Sequence, residues 1–200
     1  MRTKAPEVRD ELLEAALNEF LQVGFLNASV RKIAAKCNVS TNSIYTRFKD
    51  KEGLFNAIVE KCANELMDIY LNATNTARNA ISTLDVINIG DEGTNFVIEY
   101  VYKHFKEFKL IFCCSAGTKY ENYFDELARI EEEFYKELVK KYAKRKIDDF
   151  FIHVICRNGW QGIYELVSHN ISYDEAISFM NDFMLFNHQG WMKLIGIKAE

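Results

Sequence analysis

Nine glycines and a single proline in 200 residues leave this chain few places to turn sharply. A β-sandwich or a βαβ protein of this length needs a turn residue every ten or so positions, so both classes are disfavoured and long helices are expected. Apolar residues make up 48% of the chain and charged residues 27%, a composition that supports a packed core rather than disorder. The length suits one large domain or two small ones.

Charge divides the chain. Up to Lys51 there are 9 basic and 6 acidic residues, whereas the remainder carries 16 and 23. Within residues 29–51 the bases are Arg31, Lys32, Lys36, Arg47, Lys49 and Lys51, against Asp50 as the lone acid. Aromatics run the other way, with 4 of 27 in the first 50 residues. A small basic head, residues 1–50, and a larger aromatic body, residues 51–200, are therefore expected. The net charge of −4 argues against a uniformly basic nucleic-acid binder but not against a basic module on an acidic body. The start of the sequence has no apolar segment of signal-peptide type. The uncharged run Leu110–Thr118 is too short to span a bilayer, so no membrane association is expected. Cys37, Cys62, Cys113, Cys114 and Cys156 are odd in number and lack a C-x-x-C, which fits free thiols in a reducing cytoplasm.

The periodicity reads as all helix. Val8, Leu12, Ala16 and Phe20 stripe a helix over 7–23 that ends near Gly24. Short helices over 30–37 and 41–48 flank a tight turn, and a long one follows over 51–72. Helices over 74–88 and 95–116 are expected on either side of a Gly90–Gly93 loop. Thr118-x-x-Glu121 after Gly117 reads as a capping box opening a helix to about 145, whose terminal bases suit its dipole. The last two helices cover 148–168 and 173–195, the second capped by Ser172-x-x-Glu175.

Residues 30–49 have the pattern of a helix-turn-helix. Small Ala34 lets a second helix cross closely, Asn38 tolerates the left-handed turn, Val39 plugs it, and Ile44 anchors the second helix. Ser40 is placed to cap that helix. Thr41, Asn42, Ser43, Tyr45, Thr46 and Arg47 then present short hydrogen-bonding groups and a cation, the equipment of a major-groove reader. Ser29 and Arg31 join this set from the first helix. Lys49 and Lys51 sit where the chain leaves the groove, near backbone phosphates. The plainer alternative is a helical corner with a solvated polar face.

The run Leu12, Leu13, Ala15, Ala16 and Phe20, the Val23-Gly24-Phe25 turn, Ala28-Ser29-Val30, Ile33-Ala34, Val39-Ser40, Ile44-Tyr45, Phe48, Lys51 and Leu54-Phe55 resembles the DNA-binding head of tetracycline-repressor (TetR) family regulators. The likeness covers residues 8–55. It implies that Tyr45 and Lys51 contact phosphates, that residues 40–43 and 46 face the groove, and that the protein is a homodimer with an effector-binding body. Asn38 stands where the family usually has Gly, and Thr41-Asn42 differs from the family's frequent pairs, so base preference does not transfer.

In the body, the 148–168 helix has two apolar faces. Phe151, Ile155, Gly159, Gly162 and Leu166 on one, with Met180, Phe183 and Trp191 of the last helix, are the expected dimer seam. Trp160 and Tyr164 on the other face are grouped with Phe96, Tyr100, His104, Phe112, Tyr120 and Tyr123 as candidate walls of an effector pocket for an apolar or aromatic molecule. No charged residue stands out as a ligand partner. His153-x-x-Cys156 supplies two metal ligands but nothing places a third, so no metal or cofactor is expected. No catalytic motif is present, so the chain does not read as an enzyme. The expectation is an all-α protein with a three-helix helix-turn-helix head and a helical effector-binding and dimerisation body. It is read as a regulator, a repressor in most of the family, that leaves a pseudo-palindromic double-stranded DNA operator when a small molecule binds. Two alternatives stand beside it: a DNA-binding protein whose body docks a protein partner, and a redox regulator acting through Cys113 and Cys114.

Overall fold

The computed structural model describes residues 5–80 and 82–195. Met1–Lys4, Ile81 and residues 196–200 lie outside the described residues. The described residues form nine helices: α1 (Ala5–Asn27), α2 (Val30–Lys36), α3 (Thr41–Phe48), α4 (Lys51–Arg78), α5 (Thr83–Lys103), α6 (Phe105–Cys113), α7 (Tyr123–Tyr142), α8 (Asp149–Ser168) and α9 (Tyr173–Ile195). None of them is long and apolar enough to cross a membrane.

The chain packs as two compact units. Among the described residues, one comprises 5–65 with His104–Tyr123, the other 66–80 and 82–103 with 124–195. The charge boundary after residue 50 is thus not the packing boundary. The first half of α4 carries Leu54, Phe55 and Val59, all fully buried, and they belong to the core of the first unit. Residues 104–123 return to that unit because Phe108, Leu110 and Ile111 of α6 complete the same core.

Four aromatic rings organise the first unit. Phe55 meets Phe20 and Phe25 edge-on at 5.1 and 5.6 Å between centroids, and Tyr120 lies 6.1 Å away. Burying a Phe side chain of this kind stabilises by roughly 1.5–3 kcal/mol. The chain reaches this cluster by bending at Gly24, whose φ of 74° is left-handed and costs an L side chain strain. The bend exposes carbonyls at the end of α1, and Lys51 answers them. Its Nζ donates to the carbonyl oxygens of Phe25, Leu26 and Ala28 at 2.7, 3.1 and 3.3 Å and stands over the Phe25 ring.

Local chemistry sets the α2–α3 corner. Ser29 Oγ accepts from Lys32 N–H and caps α2, and Ser40 Oγ accepts from Ser43 N–H and caps α3. Between them Asn38 adopts φ 52°. Its N–H donates to the Ala35 carbonyl and that of Val39 to the Ala34 carbonyl, the paired bonds of a Schellman turn. Ala34 and Ile44 are buried where the helices cross.

Two sequence expectations change in the body. Gly90–Gly93 is not a loop: α5 runs through it, and the break falls instead before Thr83, where Ser82 and Asp85 cap each other. Burial of Val97, Ile98 and Val101 on the same helix outweighs the roughly 1 kcal/mol that each helical Gly costs. Thr118 and Glu121 form no capping box. Thr118 Oγ1 donates back to Ser115 O, Glu121 accepts from Gly117 N–H, and α7 begins only at Tyr123. Ser172 and Glu175 do form one, at 3.2 and 3.4 Å. In this second unit Arg78 pairs with Glu137 at 2.9 Å, and Arg157 pairs with Asp125.

The α3–α4 corner is the tightest approach in the head. A Cβ on Gly53 would stand 1.8 Å from the Phe48 carbonyl oxygen, a backbone atom that cannot move aside. Gly53→Ala is therefore expected to destabilise by about 2 kcal/mol or more, the scale of core overpacking. Gly190→Ala in α9, with nothing within 4 Å, is expected to be neutral or to stabilise by about 0.5–1 kcal/mol. Thermal unfolding of both variants checks the pair, and equal melting temperatures would contradict the geometry.

Candidate functional site

Two places in the chain are built for recognition. The first is α3. Ile44 and Phe48 fix its inner face, leaving Asn42, Tyr45, Thr46 and Arg47 exposed and Thr41 and Ser43 half-exposed. Some of these groups already have partners. Thr46 Oγ1 donates to Asn42 O at 2.8 Å, and the Arg47 guanidinium folds onto the Ser43 carbonyl at 3.2 Å and onto its hydroxyl. Ser40 is the cap. Thr41, Asn42 and Tyr45 make no side-chain hydrogen bond among the described residues. They are the outward-facing groups of α3 ready for an external partner.

Cations surround this face. Arg31, Lys32 and Lys36 are exposed on α2, and Lys49 ends α3 in a left-handed conformation with φ 71°. Arg9 and Lys61 share a shallow depression with Tyr45, Thr46, Arg47 and Lys49. Sequence reasoning did not include these two, because they lie on α1 and α4, far in sequence from the helix-turn-helix. Ser29, placed in the DNA-facing set by sequence, is half-buried. Its N–H donates to the Glu19 carboxylate at 3.2 Å and its hydroxyl caps α2. Lys51, expected on phosphate, has three N–H donors and three carbonyl acceptors inside the chain. What remains for a phosphate is its charge, not a donor.

The second place is a cavity of about 200 Å³ within the other unit. Its walls come from Tyr70 of α4, Val97 of α5, Tyr135 of α7, Trp160 of α8 and Trp191 of α9, among others. Tyr70 meets Trp160 edge-on at 5.1 Å, and Tyr135 stacks on Trp191 at 4.6 Å. At one end His188 Nε2 lies 2.8 Å from Asp91 Oδ1. Glu131 of α7 also lines the cavity. The space withdraws its carboxyl from bulk water, and that desolvation pushes its pKa up to about 8 despite the Trp160 and Tyr70 dipoles that favour the ionised form. Trp160 Nε1 is buried and falls outside hydrogen-bond geometry with any acceptor among the described residues.

The sequence-based pocket set is largely corrected. Of Phe96, Tyr100, His104, Phe112, Tyr120, Tyr123, Trp160 and Tyr164, only Trp160 lines the cavity. Phe96 is 52% exposed. His104, Phe112, Tyr120 and Tyr123 belong to the head unit, where Tyr123 donates to the Ala63 carbonyl at 2.6 Å. Tyr100 and Tyr164 are half-buried away from the lining. The residues missed are Tyr70, Phe134, Tyr135 and Glu131. One signal was present: Leu127, Glu131 and Tyr135 recur every four residues, so Glu131 shares the inward-facing stripe of α7, unlike the exposed Glu133.

The expected seam also changes. Ile155, Gly159, Met180, Phe183 and Trp191 line the cavity, Leu166 is buried, and Gly162 faces Phe179 and Phe183. Leu166 and Ile155 turn inward because the buried arc of α8 is centred on Ile152, Cys156, Trp160 and Ile163. Phe151 keeps its exposure, together with Val154 on α8 and Phe179, Leu185 and Phe186 on α9. His153 pairs with Glu132 at 2.8 Å while Cys156 is buried, so the two point apart as metal ligands. Cys113 is exposed and Cys114 half-buried, and partial desolvation raises the pKa of both thiols, which disfavours the reactive thiolate.

Known proteins match the chain in two ways. The HTH-type transcriptional regulator BetI of Klebsiella pneumoniae is 37% identical over 67 residues, 34% of this chain and 34% of that protein. BetI of Escherichia coli is 36% identical over 64 residues, 32% and 33% of the two chains. The chain thus matches about a third of the length of these curated relatives. Among solved structures, the TetR family transcriptional regulator PfmR of Thermus thermophilus has a TM-score of 0.61 at 16% identity, covering 100% of both chains. The fatty acid degradation regulator FadR of Bacillus halodurans has a TM-score of 0.53 at 16% identity, covering 95% of this chain and 99% of that one. These two likenesses are of fold. The helix-turn-helix, its caps and the α3–α4 corner fall inside residues 12–58, which match the family model for bacterial regulatory proteins of the tetR family. Over that segment the chain is similar to the TetR family of DNA-binding transcriptional regulators.

Proposed function

We propose that this protein is a sequence-specific repressor that leaves a pseudo-palindromic operator when a small molecule enters the body, and that it is not an enzyme. Residues 1–50 serve as the DNA-binding domain and 51–200 as the effector-binding and dimerisation domain. The observation that carries this is α3: a capped, core-anchored helix with Thr41, Asn42 and Tyr45 outward amid a collar of bases. Asn42 suits bidentate contact with an adenine edge, and Tyr45 suits a phosphate oxygen. Arg31 and Lys49 supply the sequence-independent attraction.

The proposed dimer seam is the exposed apolar set on α8 and α9, of which Phe186 is 75% exposed. Isolated apolar residues on a surface are ordinary, but several on two neighbouring helices favour an interface. A two-fold seam there pairs two α3 helices with two half-sites. The effector, a small apolar or aromatic molecule, occupies the cavity and acts by its differential affinity for the DNA-bound and released dimers. The protein-docking and thiol-sensing alternatives have less support, the latter because of the raised Cys113 and Cys114 thiols.

Genomic fragments selected on the purified protein give the operator for binding titrations. Asn42→Ala is expected to lose about 1–3 kcal/mol on that operator with little change on random DNA. Arg31→Ala is expected to weaken both and to lower the salt slope by about one. Equal loss on operator and random DNA from Asn42→Ala would remove its base-reading role. Phe179→Glu with Phe186→Glu is expected to give a folded monomer in sedimentation equilibrium, and a persisting dimer would place the seam elsewhere.

A further inference from the structure

The cavity wall contains one group that an apolar effector does not explain. Among the described residues Glu131 is its only carboxylate, and the lining holds no Lys or Arg. The one basic lining side chain, His188, is already engaged with Asp91. Around Glu131 stand the Tyr70 and Trp160 rings, perpendicular to one another, and its helix neighbour Tyr135. Gly159 leaves the approach open: a Cβ there would stand 3.9 Å from both carboxylate oxygens. An ionised acid in such a place is costly unless a proton neutralises it or something of opposite charge joins it. Aromatic faces attract cations, and do so most strongly away from water.

We propose that the cavity takes an organic cation, an ammonium or amidinium carried on an apolar or aromatic body, with Glu131 as counter-charge and Tyr70, Tyr135 and Trp160 as aromatic walls. This rests on the reading of the cavity as the effector site and gives that effector a charge. A carboxylate effector finds no cation to pair with, since the described lining holds no Lys or Arg and His188 is engaged with Asp91.

Binding then moves a proton. The empty site holds Glu131 largely protonated at neutral pH, since burial pushes it up to about 8. The bound cation needs the carboxylate, so a proton leaves to solvent as the cation enters. Affinity therefore rises with pH, approaching tenfold per unit below about pH 8, and levels off above it. Other ionisable groups around the carboxyl are Tyr70 from α4, Tyr135 on α7 and Cys156 from α8, all with pKa values raised by burial, and the Asp91–His188 pair from α5 and α9.

Both tryptophans of the chain, Trp160 and Trp191, line this cavity, so intrinsic fluorescence reports its occupancy. Three probes separate charge from shape: benzyltrimethylammonium, its neutral carbon isostere neopentylbenzene, and 4-phenylbutanoate. The cation is expected to quench saturably and bind at least tenfold tighter than the isostere. Glu131→Gln is expected to lose that margin and the pH dependence while still binding neopentylbenzene, which also shows that the variant is folded. A pH dependence that survives Glu131→Gln belongs to another group, such as the Asp91–His188 pair, and overturns the counter-charge role. Equal or tighter binding of neopentylbenzene or 4-phenylbutanoate overturns the cation assignment and leaves the cavity standing as a ligand site. Absence of quenching by all three overturns the cavity reading and the cation assignment with it.

Discussion

The head depends on how the end of α1 is closed. Gly24 turns the chain so that Phe25 enters the core beside Phe20 and Phe55, and the turn leaves three carbonyls with no helical partner. The Phe25 and Ala28 carbonyls are partly withdrawn from water, and the Phe25 carbonyl also accepts from Ala28 N–H at 3.3 Å. Lys51, the first residue of α4, supplies all three bonds with one ammonium. That contact spans 26 residues of sequence and encloses the whole helix-turn-helix between its ends. The orientation of α3 is thus fixed from both directions: by the Ser40 cap and Schellman turn before it, and by the Gly53–Phe48 approach and the Lys51 clamp after it. Lys51, expected at the phosphates by resemblance, places its donors on the carbonyls that frame α3.

The body is organised on the opposite principle. Its core is not filled: Tyr70, Tyr135, Trp160 and Trp191 meet as a wall around space rather than as a plug. A well-packed interior of the same residues would gain dispersion energy that this one forgoes. An aromatic space with an acid in its wall adds little stability, and Val139, Ile147 and Ile152 pack beside it with Cys156 and Trp191 of the wall.

Most of the head was legible in the sequence because its determinants are local. Ser29, Asn38 and Ser40 each act within four residues, through hydroxyl caps or a left-handed turn, and their chemistry does not depend on distant partners. The body was less legible for the converse reason. The same Ser/Thr-x-x-Glu spacing caps a helix at Ser172 but not at Thr118, where the left-handed Gly117 turns the chain and Thr118 Oγ1 is engaged with Ser115. Gly90 and Gly93 read as a loop, yet a neighbouring apolar face holds them helical. The pocket aromatics were assigned by composition, and composition does not reveal that residues 104–123 return to the head and take Phe112, Tyr120 and Tyr123 with them.

Glu131 shows the limit of reading charge as surface. In the run Glu131-Glu132-Glu133 the three residues look equivalent, and their helical angles separate them. Glu133 pairs with Arg129 on the outside, and Glu132 pairs with Lys136 and His153, which lower its pKa. Glu131, one hundred degrees further round, faces the aromatic space and is driven the other way. A solvated acid is worth little to a helix, whereas a desolvated one imposes a demand on whatever shares its cavity. That constraint is sharper than shape, because shape alone admits many apolar molecules and a desolvated carboxyl admits few.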